Sequence, residues 1–243
     1  MKPMPDEDII DAVVATLKSE FGGDLLGVLS TGSRHRGEGH ASSDLDLPVV
    51  IAQKRRQRRN VVIGGVEVEM FINDPEQYLR YYTEDREDGT GANQHMFVTG
   101  RIVFDPVEAI ADLRAEAIRQ WNAGPPPLTT VDIWRLRYGA ADALRDIDDV
   151  LAVDPDRANY LIGALLPWLV EKHHRIKGRW RPKPKRALVD LAAWDGPAAA
   201  LARRVIMGDV DALRRLAEHI LVPIGGLMPV AWQTEWEDVG DKP

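Results

Sequence analysis

Two aspartates separated by a single residue, Asp44 and Asp46, follow the pair Gly32-Ser33 after ten intervening residues. Side chains two apart in a β-strand project from the same face, so both carboxylates lie on one side of the strand predicted here. Two carboxylates about 4 Å apart repel each other by roughly 4 kcal/mol at an effective dielectric constant near 20. Mg²⁺ would remove that cost, because it binds one or two carboxylates and keeps its other positions for water and phosphate oxygens. The pair therefore predicts a magnesium site.

The Gly32-Ser33 pair is typical of a turn that binds phosphate. A glycine between a strand and a helix lets the backbone come close to a ligand. The N–H groups at the start of the following helix, together with the Ser33 hydroxyl, can then bind phosphate oxygens.

A third acid is expected on a neighbouring strand, and the alternating segment Val66 to Ile72 provides two. Glu67 and Glu69 are two residues apart, so they share one face of that strand. Spacing alone cannot separate them. Either one could complete the metal site or act as the base.

These motifs resemble those of the DNA polymerase beta-like nucleotidyltransferase superfamily: an apolar strand, Gly-Ser, about ten residues, Asp-x-Asp, and one acid on a later strand. The resemblance covers roughly residues 25–75. It implies that Asp44 and Asp46 bind Mg²⁺, and that Gly32, Ser33 and Ser43 contact the nucleotide. It also implies a third acid, assigned to Glu69 because the apolar run Met-Phe-Ile follows it directly, with Glu67 as a rival.

The apolar patterns predict that strands and helices alternate in the first half of the chain. Gly64-Gly65 predicts a tight turn between two strands, and Asp74-Pro75 predicts a helix start. The predicted elements are a helix over 7–21, strands over 25–29, 44–51, 61–63, 66–72 and 100–105, and a helix over about 106–121.

The segment Gly124 to Pro127 cannot continue a helix and predicts a domain boundary. After it the patterns are helical, over about 130–152, 155–177, 184–194, 197–207 and 209–221. The predicted fold class is α/β (α+β): a small mixed β-sheet catalytic domain at 1–124, then an all-α domain at 125–243 that closes over nucleotide and substrate. This plan resembles the aminoglycoside and lincosamide adenylyltransferases.

Two basic clusters stand out, at 54–59 and 175–186. The first is interpreted as a solvated loop, with a patch that binds a small polyanion such as a nucleotide triphosphate as the alternative. In the second, prolines stiffen the chain, and Lys185 and Arg186 are predicted to contact the nucleotide phosphates; an exposed loop is the alternative. His173 and His174 do not form a metal-ligand spacing with Glu171 on one helical face. They are interpreted as non-metal residues.

The composition limits the function classes. A net charge of −7 disfavours a dedicated nucleic-acid binder, and the absence of cysteine excludes disulfides and thiolate metal sites. No stretch is apolar enough for a membrane span and no export signal is apparent, so a cytoplasmic protein is expected.

The expected activity is transfer of AMP, or another nucleoside monophosphate, from Mg²⁺-bound ATP or another NTP to a hydroxyl of a small molecule. An aminoglycoside-type antibiotic is one such acceptor, held between the two domains. An AMP-transferring, protein-modifying enzyme of the antitoxin type and a non-catalytic nucleotide sensor are the alternatives. The acceptor, the preferred nucleotide and the oligomeric state, including a homodimer, stay open.

Overall fold

The computed structural model describes residues 4–35, 43–234 and 236. The chain forms two compact units, Met1–Pro126 and Pro127–Pro243. Within the described residues the first unit combines a five-stranded mixed sheet with helices, and the second is helical. The predicted fold class is confirmed. No described helix has the length and apolar character that would let it span a membrane.

The sheet of the first unit has the strand order β3-β4-β2-β1-β5. Its strands are β1 (Leu25–Ser30), β2 (Leu45–Ile51), β3 (Gln57–Ile63), β4 (Val66–Asn73) and β5 (Arg101–Phe104). The pair β2 and β4 is parallel, and the other neighbours are antiparallel. In the parallel pair Asp46 lies opposite Glu69. The pairing of β2 with β4 thus brings two of the predicted acids together.

Helices cover both faces of this sheet. They are α1 (Asp6–Phe21), α2 (Gly32–His35), α3 (Pro75–Asp88), α4 (Ala92–Thr99) and α5 (Ala109–Ala123). The apolar stripe of α1 packs with the buried side chains of β2 and β4 that face it. On the other face Tyr78, Tyr82 and Phe97 pack with Leu29 and Val50. Because β1 and the later part of β2 are buried on both faces, residues 25–29 and 47–51 are continuous apolar runs, as in other fully covered strands.

The second unit contains five helices among its described residues: α6 (Thr130–Leu151), α7 (Pro155–Ile176), α8 (Ala187–Trp194), α9 (Gly196–Ile206) and α10 (Val210–Leu221). Asp154, Asp195 and Asp209 cap three of them, each accepting a hydrogen bond from a backbone N–H of the first turn. One apolar core joins α6, α7, α9 and α10. These caps account for the close agreement between the predicted and observed helix starts.

The structure differs from the sequence prediction in two places in the first unit. The sequence does not predict helix α4, whose N-cap residue Gly91 has a left-handed backbone and provides no side-chain cap. The basic run 54–59 is not a loop throughout, because Gln57, Arg58 and Arg59 begin β3. Arg59 forms an ion pair with Glu20 of α1. Ion pairs to neighbouring elements let this charged run occupy an edge strand.

Candidate active site

The turn after β1 is fixed against the strand that carries the aspartates. The backbone N–H of Thr31 donates to the carbonyl oxygen of Asp46 at 3.0 Å, in an isolated antiparallel bridge. Gly32 follows with a φ of 92°, a value that favours glycine. A Cβ at this position would overlap the Oδ2 atom of Asp46. Glycine at position 32 therefore allows the turn to lie directly against the Asp46 carboxylate.

Asp44, Asp46 and Glu69 form one cluster, in which one carboxylate oxygen from each lies within 4.8 Å of the others. All three residues are half-buried. Asp44 precedes β2, Asp46 lies in β2, and Glu69 is its partner in β4. The side chain of Asp44 forms no hydrogen bond or ion pair with any residue that the structure describes. Its carboxylate is thus available to a ligand.

Glu67 lies outside this cluster. Its side chain is exposed, and its Oε1 accepts a hydrogen bond from the Asn60 amide nitrogen at 2.8 Å. The two glutamates that spacing could not separate are therefore separated by register, because β4 places Glu69 beside Asp46. Geometry favours Glu69 as the third acid.

Glu69 has a cationic neighbour that the sequence analysis did not assign to the site. Arg58 on β3 donates from Nε to Glu69 Oε1 at 2.6 Å and forms an ion pair with the same oxygen. The guanidinium carbon also lies 4.9 Å from the centre of the Phe71 ring, within the range of a cation–π contact. Oε2 of Glu69 has no hydrogen-bond partner within the described part of the chain. Arg58 thus holds Oε1 and leaves Oε2 without a hydrogen-bond partner among the described residues.

The donor set fits Mg²⁺. Magnesium takes oxygen ligands at about 2.0–2.1 Å in an octahedron, so its ligands stand about 3 to 4 Å apart. Carboxylate oxygens within 4.8 Å of one another reach such spacings by side-chain rotation. Because residue 32 has no side chain, the Asp46 carboxylate can lie against the turn. Asp44, Asp46 and Glu69 could therefore hold the ion.

A second arginine organises the segments on either side of the turn. Arg34 of α2 forms an ion pair with Asp6 at the start of α1, at 2.7 Å. It also donates from Nη1 to the carbonyl oxygen of Ser43 at 3.1 Å. Arg34 therefore fixes Ser43, the residue directly before Asp44. Ser33 is half-buried beside it in α2, and the polar stretch 36–42 lies outside the described residues.

The other predicted contacts lie in the second unit. Lys185 and Arg186 occupy a short 3₁₀ turn, Pro184–Arg186, directly before α8. Lys185 is exposed, and Arg186 forms an ion pair with Asp190 at 3.3 Å. Glu171 pairs with Lys172 at 2.8 Å. The role predicted for Lys185 and Arg186 in binding phosphate stays a prediction.

Comparison with known proteins gives similarity in structure only. No family model matches the chain, and no curated protein matches its sequence. A nucleotidyltransferase-like protein from Exiguobacterium sibiricum aligns with a TM-score of 0.49 and 14% identity, over 88% of this chain and 73% of that one. Spectinomycin adenyltransferase AAD(9) from Enterococcus faecialis, solved with ATP and spectinomycin, aligns with a TM-score of 0.37 and 13% identity, over 90% and 98%.

At such low identities and scores, the similarity does not assign an activity to this chain. An activity therefore has to be inferred from the residues of the site.

Proposed function

We propose that this protein is a magnesium-dependent nucleotidyltransferase that transfers AMP from ATP to a hydroxyl of a small molecule. The observation that supports this most directly is the convergence of Asp44, Asp46 and Glu69 beside Gly32, where a Cβ would overlap the Asp46 carboxylate. An acid cluster alone would suit many cations. The glycine in the turn at position 32 also lets a phosphate group come close to the backbone at the same place.

Asp44 and Asp46 are the proposed metal ligands, with Glu69 as the third acid. When bound, Mg²⁺ supplies charge neutralisation and alignment of the triphosphate. The backbone at Gly32 and the hydroxyl of Ser33 bind phosphate oxygens, and Ser43 contributes next to Asp44. Much of the catalysis of phosphoryl transfer comes from such positioning and charge stabilisation.

Glu69 is the proposed proton acceptor. Arg58 holds Oε1, so Oε2 is the atom that takes the proton from the acceptor hydroxyl. The hydroxyl oxygen bonds to the α-phosphorus, the bond from that phosphorus to the bridging oxygen breaks, and pyrophosphate leaves. General-base catalysis by a positioned carboxylate contributes typically about 10²- to 10⁴-fold to the rate.

Lys185 and Arg186 are the proposed cationic contacts to the phosphates of ATP. Of the two, Lys185 is the better residue to test, because it is exposed. Lys185→Ala should weaken ATP binding in calorimetry and leave acceptor affinity unchanged. An unchanged ATP affinity would restrict the 175–186 segment to the role of an exposed loop.

The acceptor we propose is small and cationic or polyhydroxylated, such as an aminoglycoside. The net charge of −7 supports this choice, because it suits a cation and disfavours RNA. The printed name of the Enterococcus protein, which was solved with spectinomycin, points to the same chemical class.

The deciding experiment uses ATP labelled at the α-phosphate, which marks the transferred group. Wild type and Asp44→Asn are incubated with three acceptor pools: aminoglycosides and lincosamides, total cell protein, and total RNA. Label in a small molecule, formed by wild type alone, is the expected result. Label only in protein would favour the protein-modifying alternative, and ATP binding without any transfer would favour a sensor.

A further inference from the structure

Three side chains from different helices converge within the second unit. His173 lies on α7, Asp195 caps α9, and His219 lies on α10. Nε2 of His173 lies 2.7 Å from Oδ2 of Asp195, and Nε2 of His219 lies 2.9 Å from the same oxygen. The three candidate ligand atoms therefore meet at one point.

The carboxylate is fixed so that Oδ2 faces both imidazoles. Its other oxygen, Oδ1, accepts a hydrogen bond from the backbone N–H of Ala198 at 3.0 Å, which is the cap of α9. The His173 ring is buried and packs against the Trp194 ring with centroids 4.8 Å apart. The His219 side chain is 37% exposed. The cluster is therefore rigid on one side and open to solvent on the other.

We propose that His173, Asp195 and His219 form a second divalent-metal site, suited to Zn²⁺ and distinct from the acid cluster of the first unit. Two imidazole nitrogens and one carboxylate are a ligand set that zinc accepts, with water in the fourth position. Magnesium prefers oxygen ligands alone. This site is independent of the proposed nucleotidyl transfer, since it contains none of the residues assigned to that reaction.

The dimensions of the cluster suit this ion. Tetrahedral Zn²⁺ binds these ligands at about 2.0–2.1 Å, which places them roughly 3.4 Å from one another. The two nitrogen–oxygen distances of 2.7 and 2.9 Å would open by about 0.7 and about 0.5 Å, respectively. Rotation of the partly exposed His219 side chain supplies part of this movement, while Asp195 keeps its bond to Ala198.

The second ring nitrogen of His173 sets the expected affinity for Zn²⁺. A zinc-bound histidine usually donates its second ring N–H to an oxygen, and losing such a partner costs about 10- to 100-fold in affinity. Nδ1 of His173 is buried and has no hydrogen-bond partner among the described residues. We therefore expect a site that binds one Zn²⁺ and readily releases it to EDTA.

The test uses full-length protein carrying Asp44→Asn and Asp46→Asn, so that the acid cluster cannot bind the probe. After EDTA treatment and removal of the chelator, Zn²⁺ alone is titrated by calorimetry, and Co²⁺ alone is followed by its visible absorption. One equivalent of Zn²⁺, with the intense d–d bands of four-coordinate Co²⁺, is expected. The absence of a stoichiometric equivalent would overturn the proposal and leave a hydrogen-bonded triad only.

His219→Gln in the same background is the informative variant. Glutamine can still donate a hydrogen bond to Asp195, but its amide is a poor zinc ligand, so the affinity for Zn²⁺ should fall more than about 100-fold, beyond the effect of losing an outer partner. His95→Ala is the matched control, because His95 lies in the first unit, with its ring tilted against that of Trp121 at a centroid distance of 5.3 Å. Zinc binding by His219→Gln equal to that of the background protein would contradict the site.

Discussion

The acid cluster predicts an unusual combination of effects for Asp44→Asn, namely loss of activity with a gain in stability when metal is absent. The cluster brings three carboxylates together, with Arg58 as a cationic partner of one of them. Replacing one acid by its amide keeps the shape of the side chain and removes a charge. The variant therefore separates the electrostatic role of Asp44 from packing.

The magnitude follows from the geometry. Unit charges 4.8 Å apart repel by about 3.5 kcal/mol at an effective dielectric constant of 20 and by about 0.9 kcal/mol in water. Because the three residues are half-buried, we expect Asp44→Asn to gain about 1–2 kcal/mol in EDTA. For a chain of this size that raises Tm by roughly 2–8 °C.

Activity should change in the opposite direction. Loss of a metal ligand removes several kcal/mol of transition-state stabilisation, and each 1.36 kcal/mol is a factor of ten in rate. We therefore expect turnover to fall at least about 100-fold. The assays are transfer of the labelled α-phosphate group and thermal unfolding in EDTA and in Mg²⁺. In Mg²⁺ the wild type should gain stability by mass action, and Asp44→Asn should gain much less.

Glu67→Gln is the matched control, because it makes the same change of charge on the neighbouring strand β4, outside the cluster. It should leave turnover and the response to Mg²⁺ close to those of wild type. The reasoning is refuted if Asp44→Asn keeps more than a few per cent of activity. It is equally refuted if magnesium raises the Tm of the variant as much as that of wild type.

Three further predictions concern neighbouring features. Gly32→Ala should abolish transfer, because its Cβ overlaps a catalytic carboxylate; Gly65→Ala has a similar positive φ but no atom within 4 Å, so it should lose stability and keep activity. Arg58→Ala should lower kcat about 10-fold or more by freeing the third acid, whereas Arg59→Ala should affect unfolding alone. Burial raises the pKa of Asp195, but hydrogen bonds from two histidines and a backbone N–H outweigh it and lower the pKa from 3.8 to about 2. The resulting stabilisation of about 2 kcal/mol is present above the ordinary pKa and is lost as the pH falls through 2. In denaturant unfolding in EDTA, the difference in the free energy of unfolding between wild type and Asp195→Asn should therefore shrink on acidification.

Much of the fold was predictable because local signals determine it. Asp74, Asp154 and Asp195 each precede a helix and cap it, and the apolar alternation of β4 fixes its buried face. Helix α4 was not predictable in this way, because it is short, lacks a clear apolar stripe and has no side-chain cap. Local sequence signals thus account for the capped helices and for β4, but not for α4.

The candidate site was only partly predictable, since its remaining features depend on contacts between distant segments. The motif indicated Asp44 and Asp46, but the pairing of Glu69 with Arg58 requires knowledge of which strands are neighbours. The convergence of His173 with His219 joins positions 46 residues apart in sequence. The spacing of residues along one helix does not indicate a contact between two helices. From spacing alone, His173 is therefore interpreted as a non-metal residue.

The parallel register of β2 and β4 has a consequence for how the sheet tolerates error. Val66, Val68, Met70 and Ile72 alternate on the buried face of β4, so a slip of one residue would turn them all outward. A slip of two residues would keep this alternation and bring Glu67 beside Asp46. Because the Val-Glu unit is repeated, two registers of β4 that differ by two residues bury the same apolar face. That face alone therefore does not determine which glutamate reaches the aspartates. Contacts from β3 differ between the two glutamates, because Asn60 donates to Glu67 and Arg58 donates to Glu69. If the β3–β4 hairpin slipped by two residues against β2, the acid beside Asp46 would therefore lack the arginine partner. The outer strand thus gives an arginine partner to one glutamate alone, and the two registers would form acid clusters of different charge.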